Sequence, residues 1–171
     1  MTVMEAIQKR RSVRKYRPDP VSEEALGRVL EAARLAPSGK NLQPWKFIVV
    51  RSAETRALLA RASANQAFIA QAPVVVVACA DPESCYAKMG RYMKSWPVDV
   101  ACALEHLMLQ AAAEGLGTCW IGAFEEQAVK DVLGVPEPIK VLALTPLGHP
   151  DEAPAFRGRK SLGEIVSHEL Y

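Results

Sequence analysis

The sequence predicts a single domain that mixes helices with a few short buried strands, and three observations predict it. Apolar runs at 47–50, 74–79, 118–122 and 139–144 have the length and β-branched content of buried strands. Before and between them, apolar residues recur at helical spacing behind the capping residues Thr2, Ser22 and Ser52. The chain has 171 residues, 50% hydrophobic and 23% charged, a soluble globular balance able to bury roughly 70% of its unfolded surface in one domain, 1–171. No apolar run approaches ~18 residues and no secretory signal follows the start, so a cytoplasmic protein without a membrane partner is expected.

Thr2 and Glu5 have capping-box spacing, so a short helix starts at once and should turn Val3, Met4 and Ile7 toward the core. It delivers Lys9, Arg10, Arg11, Arg14, Lys15 and Arg17 with no acid among them, which implies a local anion site. Ser22 opens a second helix with Leu26, Val29, Leu30 and Ala33 on one face, and Pro37 disfavours its continuation through Ala36. In Ala36-Pro37-Ser38-Gly39-Lys40-Asn41-Leu42-Gln43-Pro44-Trp45 two prolines stiffen a turn that displays Ser38, Asn41 and Gln43 beside the strand at 47–50. This stretch is either a platform for a site or a connection that changes direction.

Ser52 caps a third helix to about Ala62, with Leu58 and Leu59 inward, and a polar link holding Asn65 and Gln66 precedes the strand at 74–79. Residues 81–97 read as an irregular excursion, either a lid or padding, in which Tyr86, Tyr92 and Trp96 either wall a pocket or cover the core. In the helix at 98–113, Asp99, His106, Gln110 and Glu114 share a narrow stripe while Val100, Leu104, Leu107, Met108 and Leu109 cover most of the rest. One sheet covers one side only, so other helices or a second subunit must enclose it, and a homodimer is the favoured reading. Gly115 and Gly117 end this helix, and Gly122 closes the strand at 118–122 where a backbone can approach a ligand. A helix at about 125–133 stops at Gly134, and 139–144 is the last strand. The tail carries Arg157, Arg159 and Lys160, then Leu162, Ile165 and Val166, which need a surface such as a partner subunit.

Several chemistries are excluded. The four cysteines form no C-x-x-C pair and no zinc-ligand spacing with the three histidines, so no metal is expected, and Cys85 alone is a candidate reactive thiol. Trp120 stands where a dinucleotide fingerprint needs its third glycine, Gly39-Lys40 is followed by Asn41 and not by Ser or Thr, and no G-x-S-x-G occurs. A net charge of +2 is too small to imply nucleic acid. Arginine pairs hold phosphate through two-pronged, charge-assisted hydrogen bonds, which suits one terminal phosphate.

Arg10-Arg11-Ser12-Val13-Arg14-Lys15-Tyr16, the 36–45 loop, Gly115-Leu116-Gly117-Thr118-Cys119-Trp120-Ile121-Gly122 and Arg157-Gly158-Arg159-Lys160 occur in an order that resembles the FMN-dependent nitroreductase family. The resemblance implies an α+β fold, a central mostly antiparallel sheet flanked by helices, assembled as an intertwined homodimer with FMN at the interface. Carried over by residue, Arg10, Arg11, Ser12, Arg157 and Arg159 would hold the FMN phosphate, and Arg14 would meet the N1 and C2-carbonyl edge of the ring. Pro37, Ser38, Gly39 and Asn41 would come from the other subunit, with Gln43 supporting that loop. Gly122 and Ala123 would face N5, and Asn65 would contact the ring. No side chain is implied as a catalyst. The implied activity is hydride transfer from NADH or NADPH to nitroaromatics, quinones or similar flat acceptors by a ping-pong cycle; the alternative is a non-catalytic flavin-binding protein of the same fold. Gly39 departs from the family pattern, where a small hydroxyl residue or alanine is frequent.

Overall fold

A computed structural model describes residues Met1–Tyr171. Four strands, β1 (Trp45–Val50), β2 (Val74–Ala80), β3 (Gly117–Thr118) and β4 (Lys140–Gly148), form an antiparallel sheet in the order β1-β2-β4-β3. β2 lies inside, all of its residues buried, and its alternation divides the core in two. Val74, Val76, Ala78 and Ala80 face α2 (Glu23–Arg34) and α5 (Trp96–Ala113), meeting Val29, Leu104 and Leu107. Val75, Val77 and Cys79 face α3 (Ala53–Ala62), α4 (Phe68–Gln71) and α6 (Glu126–Leu133), meeting Leu59, Ile69 and Val129. The expected α+β architecture is present.

The helix boundaries follow their caps. Ser22 and Ser52 Oγ accept the amides of Ala25 and Thr55 at 3.2 and 3.3 Å, and Gly134 adopts φ +64° where α6 ends. Around α1 (Val3–Lys9) the capping box forms, with Thr2 Oγ1 accepting from Glu5 N at 3.2 Å and Glu5 Oε2 from Thr2 N at 2.7 Å. The expectation that Val3, Met4 and Ile7 turn inward is wrong: they are 76%, 60% and 48% exposed, and only Ala6 is buried. This small residue lets α1 lie close on α5, which sends the larger side chains the other way. Leu58 also stays outside, because neighbours on a helix point ~100° apart and Leu59 takes the inward direction.

The strand expected at 118–122 is interrupted. After Thr118 the chain leaves the ladder and returns at Ile121, which exchanges backbone hydrogen bonds with Leu144 at 2.9 and 3.1 Å. β4 runs past the expected end at Leu144 through Pro146, which falls where the edge strand has left the ladder, a position that spares a missing N–H. α5 begins two residues earlier than expected, with Pro97 in its first turn. Its neighbours leave a stripe of Val98, Ala101, Cys102, Glu105 and Leu109 incompletely covered. α7 (Leu162–Ile165) and the rest of the tail expose Leu162, Ile165 and Val166. Cys85, expected in a polar connection, is buried with its thiol against the Pro82 carbonyl oxygen at 3.2 Å, so burial removes it as a surface thiol. No helix is long and apolar enough to cross a membrane.

Leu107 is fully buried between α5 and the sheet, whereas Leu58 is 38% exposed. Leu107→Ala is expected to lower unfolding stability by about 2–5 kcal/mol, and Leu58→Ala by well under half as much, read as urea midpoints at unchanged m-value.

Candidate functional site

The segment after α1 is laid along the outer edge of the sheet. Ser12 pairs in parallel with Thr118, and Val13 N donates to Thr118 O at 2.9 Å. Farther along the segment Arg17 N donates to His149 O and Asp151 N to Lys15 O, each at 2.9 Å, and Lys15 Nζ meets Asp151 at 3.0 Å. Tyr16, buried beneath, donates its hydroxyl to Val13 O at 2.6 Å, and burial raises its phenol above its ordinary value.

These bonds bring the two ends of the chain together. Arg10, Arg11, Ser12 and Arg14 line one cavity of about 490 Å³ with Arg157 and Arg159, so the six cationic-site residues read from the sequence converge. Two further lining residues, Glu152 and Phe156, are absent from the sequence expectation. Glu152 Oε1 accepts from Arg14 N at 2.5 Å, and the Arg11 and Arg159 guanidiniums lie over the Phe156 ring at 5.1 and 5.4 Å. Arg10 Nε is 3.4 Å from Glu105 on α5. Behind the cavity, burial pushes the Cys119 thiol up while Arg14 and Arg10 pull it partly back. A cavity lined by five guanidiniums and one carboxylate is suited to a compact dianion.

The 36–45 stretch is a fixed turn. Lys40, Asn41 and Gln43 take φ of +53°, +57° and +51°, Ser38 Oγ accepts from Gln43 N at 3.0 Å, and Gln43 Nε2 donates to Asn41 O at 3.0 Å. Gln43 therefore supports the loop as expected. Gly39 N donates to Asp99 Oδ1 at 2.9 Å, Ser95 Oγ donates to Asp99 Oδ2 at 2.6 Å, and Tyr86 N donates to Ser95 Oγ at 3.0 Å. Asp99, 4% exposed, thus ties the loop to residues 86–95. The same packing explains the glycine: a Cβ at Gly39 would sit 2.9 Å from Tyr86 Cβ and 3.1 Å from Ser95 Oγ. Residues 81–95 are fastened to the platform and are not a free lid.

Asn65, Gly122 and Ala123 form a third group. Asn65 takes φ +55° after α3, and Gln66 Nε2 reaches Ser63 O at 2.9 Å and Ala123 O at 3.3 Å. Glu125 N donates to Ala62 O at 2.8 Å, closing the corner. Gly122 and Ala123 are exposed there, about 13 Å along the chain from Thr118 at extended rise.

The platform is not near the arginines within one chain. It enters β1 at Trp45, which pairs with Ala80, whereas the basic segment sits beside Thr118, which pairs with Leu147 opposite Val74. That is about 20 Å along the strands and, with four inter-strand steps, about 19 Å across them. The cavity and the platform occupy diagonally opposite corners of the sheet.

Fold and site together define a class: an antiparallel α+β protein with an arginine-lined cavity on its sheet edge. The model of the nitroreductase family matches residues 7–73 and 60–149, and the chain belongs to that family. An NADH dehydrogenase of Thermus thermophilus is 36% identical over 187 residues, covering 92% of this chain and 91% of the relative. A nitroreductase family protein from Clostridium novyi NT is 37% identical with a TM-score of 0.81, covering 89% of this chain and 87% of its own. An FMN-dependent nitroreductase from Clostridium difficile R20291 is 29% identical with a TM-score of 0.84, covering 98% and 99%.

Asp99→Ala removes the acceptor of two hydrogen bonds in a buried setting. A loss of about 1.5–3 kcal/mol in urea unfolding is expected, with faster proteolysis within residues 81–95, and Asp99→Asn, which keeps an acceptor for Gly39, should fall between.

Proposed function

We propose that this chain is an FMN-dependent oxidoreductase that takes hydride from NADH or NADPH and reduces nitroaromatics, quinones or similar flat acceptors, working as a homodimer of one flavin-binding domain, 1–171, per chain. The convergence of Arg10, Arg11, Ser12, Arg14, Arg157 and Arg159 on one cavity carries the reading. The family membership and the names of the relatives, an NADH dehydrogenase and an FMN-dependent nitroreductase, support it.

In this reading Arg10, Arg11, Ser12, Arg157 and Arg159 hold the FMN phosphate through charge-assisted hydrogen bonds. Arg14 keeps positive charge at the N1 and C2-carbonyl edge of the ring, where a fixed guanidinium stabilises negative charge that develops on reduction. Gly122 and Ala123 offer backbone to the N5 side, with Asn65 beside them. Pro37, Ser38, Gly39 and Asn41 of the partner subunit complete the wall, because the platform of the same chain lies at the far corner of the sheet. The uncovered stripe of α5, the outward Val3, Met4 and Ile7 of α1, and the exposed Leu162, Ile165 and Val166 supply apolar surface for that second copy.

FMN, when bound, supplies the acceptance and release of hydride, so the chain needs no general acid or base. Its residues bind, orient and leave one ring face open for donor and then acceptor, a ping-pong order.

Purified protein is expected to be yellow, to release FMN on denaturation, and to lose its visible flavin band when NADH or NADPH is added without air. A colourless protein that FMN cannot reconstitute contradicts the reading, and bound flavin that neither nucleotide reduces makes it a binding protein only. Arg10→Ala should weaken FMN binding roughly ten- to a hundredfold by fluorescence titration, the size of one lost charge-assisted contact.

A further inference from the structure

We propose that Phe156 is a positioning residue for the anion cavity: its ring holds Arg11 from the first helix's end and Arg159 from the tail as a pre-formed pair, and so sets the preference for a phosphorylated over an unphosphorylated flavin. The proposal rests on the reading of that cavity as the FMN phosphate site.

The two guanidiniums lie 5.1 and 5.4 Å from the same ring, within the range of cation–π attraction. Two like charges gathered on one ring repel, and its π-system offsets part of that repulsion without adding a charge of its own. Arg11 commits Nη1 to the Gln8 and Arg10 carbonyl oxygens at 2.5 and 2.8 Å, and Arg159 commits Nη1 to its neighbour Gly158 O at 2.6 Å. Each arginine is thereby oriented by its backbone contact and by the ring, while its other N–H groups remain available to an oxyanion.

Nothing else in the fold joins these two arginines. Residues 149–152 are fastened to the basic segment by backbone bonds, but 155–159 are exposed. Phe156 is itself 60% exposed, a poor place for a large apolar ring unless the two cations retain it. Glu152 limits the net charge of the empty cavity and anchors Arg14 N, whereas Phe156 adds no charge and acts only on geometry. The phosphate dianion, and not the ring of the flavin, is therefore the part of the ligand that Phe156 should affect.

The test is a pair of dissociation constants, for FMN and for riboflavin, measured by flavin fluorescence on flavin-free protein and on Phe156→Leu and Phe156→Tyr. Phe156→Leu keeps bulk and loses the π-face; it should weaken FMN by about five- to thirtyfold, the range for two exposed cation–π contacts, and leave riboflavin unchanged. Phe156→Tyr keeps an aromatic face and should retain the FMN preference. Thermal unfolding of the flavin-free variants should match the parent, since the ring packs into no core. Equal weakening of both flavins, or FMN affinity indifferent to Phe156→Leu, overturns the proposal while FMN binding itself stands. A parent protein that binds neither flavin overturns both this and the functional reading.

Discussion

Ser12 pairs with Thr118 on the outer edge of a strand only two residues long, and this pairing places most of the site. A lone edge strand of that length is unstable without a neighbour, and the basic segment acts as its continuation, closing the edge that β3 leaves open. Once Ser12 is fixed, Arg10, Arg11 and Arg14 have nowhere to go but over that edge. The 149–159 segment then folds back along them through the Arg17–His149 and Lys15–Asp151 backbone bonds. Crowding of like charge is opposed by Glu105, Asp151 and Glu152 at the rim and by the Phe156 ring that Arg11 and Arg159 share. A phosphate would complete the balance that these few acids leave unfinished.

The same geometry divides the protein's assets. The arginines and the Gly122 corner lie toward one side of the sheet, while the Ser38 to Asn41 platform, pinned by Asp99, lies at the diagonal corner. The platform cannot swing across, because its turn is locked by Ser38 and Gln43 and its flank by Ser95 and Tyr86. In the proposed reading each corner is a half-site, and a two-fold axis would bring platform to cavity twice. In that reading the apolar residues that one chain leaves exposed on α1, α5 and the tail would be covered by the second copy.

How much of this is legible in the sequence depends on whether the deciding interaction is local. Ser22, Ser52 and Gly134 declare their helix ends because caps act within one turn, and the Val74–Ala80 run declares itself because alternate residues enter two different cores. Val3, Met4 and Ile7 mislead because periodicity identifies an apolar face without saying whether the same chain covers it. Asp99 shares a stripe with His106, but it is buried while His106 is exposed, and the difference comes from Gly39 and Ser95, sixty and four residues away. The break after Thr118 and the passage of β4 through Pro146 depend on each other across the sheet, so neither can be read from its own segment. The arginine cavity is legible through its charge and through the family resemblance. Glu152 and Phe156 sit in a tail with no periodicity to mark them, and only the fold shows their company.

In the proposed reading a flavin pocket exists only where the arginine cavity of one copy meets the platform of another. Sedimentation velocity of FMN-loaded protein across a dilution series, recorded in the visible flavin band, tests it most directly. With a composite pocket, the colour is expected to travel only with a species of twice the chain mass and to be released as that species dissociates. Flavin retained with undiminished affinity on a single chain would contradict it.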